Sequence, residues 1–172
     1  MSEEEFMKQQ YLTLREEIRA GKARTFLILV LGALFIPLAG FAASAFGSTF
    51  ASASMPFVIL VLMLAFITEQ NGVIRAGRFL KEHVEPHIEG VTTWETWLAR
   101  THKLRDVDRY FFASFMLVFL LFYAVAAGTA VESVASLWPD HYWFAVAGYA
   151  IGGLWCILVL VRHWHSCTTT KD

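Results

Sequence analysis

The sequence predicts an all-α, polytopic membrane protein: four transmembrane helices, an N-terminal cytoplasmic amphipathic helix and a cytoplasmic helical loop. Three observations predict it. Runs without Asp, Glu, Lys or Arg cover Thr25–Thr68, Tyr110–Val131 and His141–Val161. A spanning helix takes about 20 apolar residues, so the first run holds two spans and a turn, and each of the others holds one. The 172-residue chain is 56% hydrophobic and 15% aromatic, far more than a small soluble core uses. Finally, all 14 Lys and Arg residues fall on one side of these runs.

That charge split sets the expected orientation. Lys8, Arg15, Arg19, Lys22 and Arg24 precede the first run. Arg75, Arg78, Lys81, Arg100, Lys103, Arg105 and Arg109 lie in the one long polar loop, and Arg162 and Lys171 follow the last run. The connections around Ser44–Ser54 and Glu132–Asp140 carry none. Short loops rich in Lys and Arg stay cytoplasmic, so both termini and the long loop are expected inside and the two bare connections outside. The expected placement is therefore multi-pass in a membrane, with both termini inside.

In chain order, residues 2–24 read as the amphipathic helix. Met7, Tyr11, Leu14 and Ile18 are spaced 4, 3 and 4, a narrow apolar seam. The seam suits either the lipid surface or packing on the long loop or a second subunit. The N-terminus opens with Glu3, Glu4 and Glu5 and does not read as a signal peptide. The first span, about 25–45, contains Pro37, which removes a backbone hydrogen bond and is expected to kink it. Gly40 and Ser44 leave room there for close helix approach.

The second span, about 55–74, is expected to start with Pro56 in its first turn and to continue as a helical stalk to Glu85, where Pro86 stops it. Thirty residues make about 45 Å of helix against a hydrocarbon core of about 30 Å, so roughly ten residues project. Arg78–Glu82 and Lys81–Glu85 are i,i+4 pairs on the stalk. The stalk and loop occupy 75–108. Thr92-Thr-Trp-Glu95 is a capping box that predicts a helix over about 93–104, with Trp94 and Trp97 on one face. Asp106 is placed to cap the third span, about 109–131, which carries the stripe Phe112, Phe115, Phe119 and Phe122. Trp138, Pro139, Tyr142 and Trp143 form an interfacial anchor before the fourth span, about 141–162. In that span Gly148, Gly152 and Cys156 define one packing face. Residues 162–172 form the tail.

Three stretches, Tyr11-Leu-Thr-Leu-Arg-Glu-Glu-Ile18, the stalk from Glu69 through Arg75 and Phe79-Leu80 to Pro86, and Trp94-Glu-Thr-Trp-Leu98, carry a resemblance. Together they resemble an uncharacterised group of small bacterial multi-span membrane proteins with a YxxLRxEI helix, an RxxxFLxxxVE stalk and a WExW loop. The resemblance implies a bacterial inner-membrane protein and carries no activity. Its segments all lie on the expected cytoplasmic side.

Candidate chemistry is concentrated in a few residues. Glu69 lies in the inner half of the second span, followed by Gln70 and Asn71, where ionisable groups are costly and often functional. With Asn71, Arg24 and Arg75 it forms either an ion path or an ion pair, its partner being Arg24 or Arg75. Arg75 and Arg78 suit lipid headgroups or serve simply as positive-inside charge. Tyr11, Leu14, Ile18, Trp94 and Trp97 form a candidate cytoplasmic partner surface. His83 and His87 are i,i+4 but separated by Pro86, and His163, His165 and Cys167 lie in the tail, so no metal site is expected. No Walker loop, HExxH, GxSxG or CxxC occurs, so neither catalytic residues nor a cofactor is expected. The net charge of −1 argues against a nucleic-acid partner.

These features favour a non-catalytic, homo-oligomeric membrane protein whose cytoplasmic helices anchor or sense for a cytoplasmic partner, with membrane lipids as its other contacts. The alternative is a homo-oligomeric channel or pore with Glu69 near the path. A membrane enzyme ranks third.

Overall fold

The computed structural model describes residues 3–87 and 102–168, with side chains over 5–87 and 110–165. Among them there is no strand. The elements are α1 (Glu3–Ala45), α2 (Thr49–Phe79), a π turn (Leu80–Val84), a 3₁₀ turn (Glu85–His87), α3 (His102–Leu137), a second 3₁₀ turn (Pro139–His141) and α4 (Tyr142–Thr168). Among the described residues, four segments are long and apolar enough to cross a membrane: Glu5–Ala45, Thr49–His87, Tyr110–Leu137 and Pro139–His165.

Several boundaries differ from the sequence expectation. The amphipathic segment and the first span are one unbroken 43-residue helix. No helix breaker lies between Gly21 and Thr25, and Lys22, Ala23 and Arg24 are good helix formers. At 1.5 Å per residue α1 is about 64 Å long, roughly twice the hydrocarbon thickness. Pro56 is not in the first turn. α2 begins at Thr49, because Ser48 caps it: the Ala51 N–H donates to Ser48 Oγ at 3.4 Å. Asp106 lies inside α3 rather than before it, since that helix begins at His102. The capping box at Thr92–Glu95, Trp94 and Trp97 lie outside the described residues, as does the side chain of Cys167.

The α1–α2 turn is tight. Gly47 has φ +60°, the left-handed conformation that glycine takes without strain. The Ser48 N–H donates to the Ala43 carbonyl at 3.0 Å and the Gly47 N–H to Ser44 at 3.3 Å, a Schellman closure.

The described residues fall into two compact units. The first takes the chain up to Leu29 and from Phe66 to Ala113. In it the start of α1 runs antiparallel to the end of α2. Ile18, Ala76, Leu80 and Val84 are buried between the two, with Met7, Tyr11, Leu14 and Val73 packed against them. The seam of α1 is thus covered by the chain's own stalk. At the end of the stalk the helix widens: the Glu85 N–H reaches back five residues to the Leu80 carbonyl. The expected Arg78–Glu82 ion pair does not form among the described residues. The widened turn takes successive side chains out of i,i+4 alignment.

The second unit takes Val30–Ala65 and the chain from Ser114 onward. Its interior is close-packed around small residues. A Cβ at Gly32 would sit 2.6 Å from Phe119 Cζ, and one at Gly153 2.9 Å from Tyr123 Cε1. Tyr123 OH donates to the Tyr149 carbonyl at 2.6 Å, and Tyr149 OH to the Ala53 carbonyl at 2.8 Å. Two phenols in an apolar interior therefore both find acceptors, as buried hydroxyls must.

Candidate functional site

The candidate site lies in the first unit, at the base of the hairpin. Gly21 on α1 faces Val73 on α2 so closely that a Cβ there would lie 2.7 Å from Val73 Cγ2. This approach sets the antiparallel register. One turn further along α1, and one turn back along α2, Arg24 meets Glu69. Arg24 Nε donates to Glu69 Oε2 at 2.9 Å, an ion pair whose side chains are 55% and 27% exposed. Of the two arginines that the sequence offers to Glu69, the register selects Arg24.

Arg75 turns the other way. Its Nε donates to the Asn71 carbonyl at 3.3 Å, on its own helix. The four residues of the expected ion path or pair thus divide into an inter-helix pair, Arg24–Glu69, and a local contact, Arg75–Asn71. A small cleft beside the pair is lined by Glu17, Gly21, Arg24, Glu69 and Gly72 among others, and its volume of about 20 Å³ holds a single water. Arg78 is exposed on the same helix.

The other candidate residues are placed as follows. Ile18 is buried, and Tyr11 and Leu14 are half-buried against the cluster of Ile18, Ala76, Leu80 and Val84. Tyr11 also receives a hydrogen bond on its OH from Arg15 Nε at 3.1 Å. Gly152 and Cys156 pack inside the second unit. A Cβ at Gly152 would meet Tyr123 Oη at 2.9 Å and Leu60 at 3.2 Å, and Cys156 Sγ contacts Met63 Sδ at 3.6 Å. Gly148 is different: a Cβ there meets nothing within 4 Å. The three residues expected on one packing face therefore divide, two inward and one outward. His83 stacks on Phe79 at 4.8 Å between ring centroids, and His163 is buried. Among the described residues no three His, Cys, Asp or Glu side chains lie close enough to hold a metal ion.

Sequence reasoning did not single out Gly21, Gly32, Tyr123 or Tyr149. The two tyrosines carried a usable signal, because a phenol far from either membrane interface must find an acceptor inside the protein. The glycines carried none, since their role depends on which helix comes opposite.

Fold and site together define an all-helical, multi-pass membrane protein with a packed helical hairpin closed at its base by an ion pair. Comparison with known proteins finds no matching family model, no matching curated protein and no matching solved structure.

Proposed function

We propose that this chain is a non-catalytic, oligomeric protein of the bacterial inner membrane, with both termini in the cytoplasm, whose helical hairpin is a platform for a cytoplasmic partner. The observation that carries the proposal is the hairpin. α1 and α2 run well beyond a bilayer's thickness and zip together through Ile18, Ala76, Leu80 and Val84. All 14 Lys and Arg residues lie in the segments assigned to that side. A rigid, self-packed pair of helices carries a binding surface out to a partner at little ordering cost. Because Tyr11, Leu14 and Ile18 face the stalk, the surface available to a partner among the described residues is the outer side, where Phe6 and Leu12 are exposed. Exposed Arg75 and Arg78 suit lipid headgroups.

The Arg24–Glu69 pair weighs against the channel reading. Glu69 is engaged at 2.9 Å by a cation of its own chain, which leaves its charge less available to a permeating ion. A photo-crosslinking residue at Leu12 should yield a discrete adduct with a soluble protein in cells, and one at Phe50 should not. Purified protein in liposomes should conduct no ions above empty vesicles, and Glu69→Gln should change nothing. A clear ion flux that Glu69→Gln alters in folded protein would replace the platform by the channel.

A further inference from the structure

α4 presents two seams. The first, with Tyr149, Gly152, Cys156, Leu160 and His163, is turned into its own unit. The second, Gly148, Ile151, Trp155 and Leu158, is spaced 3, 4 and 3 and is open. Isoleucine and leucine facing lipid need no explanation, but Trp155 does. It is 48% exposed and sits at the centre of α4. The indole N–H is a donor only, and among the described residues nothing accepts from it. Lipid tails offer no acceptor at that depth. Tryptophans normally sit at the membrane–water boundary, the place expected for Trp138 and Trp143 beside the α3–α4 turn.

α1 carries the matching acceptor. Pro37 has no N–H, so the Ala33 carbonyl lacks its helical donor. Ala33 and Pro37 are both exposed, and one turn on a Cβ at Gly40 would meet nothing within 4 Å. The result is an exposed face, Ala33, Pro37 and Gly40, that carries a carbonyl without its helical donor. Its depth matches that of the indole. Ala33 lies a little over three turns before Ala45, the end of α1, and Trp155 lies between three and four turns after Tyr142, the start of α4. At 1.5 Å per residue these are about 18 Å and about 20 Å, measured along helices whose named ends adjoin turns on the same side of the membrane. Donor and acceptor are both open on one protomer, so they are free to meet between two.

We propose that Trp155 of one copy packs on the Ala33–Pro37–Gly40 face of a second copy, its indole N–H donating to the Ala33 carbonyl. A second copy is the occupant because it satisfies both orphan groups at once, which no lipid does. A symmetric α4–α4 contact would set donor against donor. The contact is therefore heterologous, joining two different surfaces. It rests on the oligomeric reading above and replaces the Gly148–Gly152–Cys156 face as its interface.

The experiment uses full-length protein in a Cys167→Ser background, leaving buried Cys156 in place. Two differently tagged variants, Ala33→Cys and Leu154→Cys, are oxidised in membranes separately and co-expressed. The expected result is a disulfide-linked pair carrying both tags, and little pair formed by either variant alone. Photobleaching steps in lipid nanodiscs then count copies as a function of protein density. Trp155→Phe, and Pro37→Ala, which returns an N–H to the Ala33 carbonyl, should each weaken self-association about three- to twenty-fold, with the double variant no weaker than the worse single. Wild type that bleaches in single steps overturns the oligomeric reading itself. Oligomeric wild type with Leu154→Cys linked to itself, or with Trp155→Phe unchanged, overturns this interface and leaves oligomerisation standing.

Discussion

Adding one methyl group at Gly21 separates close helix approach from helix propensity. Alanine in place of a helical glycine gains roughly 1 kcal/mol from the backbone alone. At Gly21 the new Cβ falls 2.7 Å from Val73 Cγ2, a distance at which one of the two helices must move. Overpacking of that kind costs about 1–3 kcal/mol. At Gly72, on the facing helix, a Cβ meets nothing within 4 Å and only the gain remains. Truncating Val73 to alanine removes the methyl that clashes. The coupling between Gly21→Ala and Val73→Ala should therefore be about 1–3 kcal/mol, with propensity cancelling around the cycle. The assay is amide hydrogen exchange of the hairpin in detergent or nanodiscs, read over residues 10–20 and 74–84. Gly21→Ala should speed exchange more in otherwise wild-type protein than in the Val73→Ala background, by about 5- to 150-fold. Gly72→Ala should slow it slightly. Equal protection from Gly21→Ala and Gly72→Ala, or a coupling near zero, would refute the close approach and the register built on it.

Three further outcomes are expected. Leu80→Ala removes a fully buried side chain from the hairpin and should lower its local opening free energy by about 2–5 kcal/mol, with amides near the α3–α4 turn unaffected. Tyr123→Phe deletes the 2.6 Å hydrogen bond to the Tyr149 carbonyl while keeping the ring against Gly152 and Gly153, so the loss of thermal stability in detergent should be modest, about 0.6–1.7 kcal/mol. Cysteines placed at Ser48 and Ser136 should react with an impermeant thiol reagent in intact cells, and one at Ser2 should stay silent until lysis; the reverse pattern would invert the topology.

The span count was legible in the sequence because it depends on one local quantity. A charged side chain is expensive in hydrocarbon, so the uncharged runs from Thr25, Tyr110 and His141 mark the crossing segments without reference to neighbours. The seam Met7, Tyr11, Leu14 and Ile18 was legible for the same reason, being a property of one helix's periodicity. The start of α2 was not. Pro56 has the character of a first-turn residue, but a serine cap and a glycine at positive φ earlier in the chain start the helix at Thr49. What the seam faces, which arginine neutralises Glu69, and which of Gly148 and Gly152 points inward are relations between helices. Arg24 and Arg75 are equal candidates along the chain. The antiparallel register set by Gly21 against Val73 brings Arg24 to Glu69, while Arg75, on the same helix as Glu69, turns to its own backbone at Asn71. Side-chain type and spacing determined which segments are helical and apolar; only packing decided their partners, because a helix of fixed pattern presents several faces and the neighbouring helix selects one.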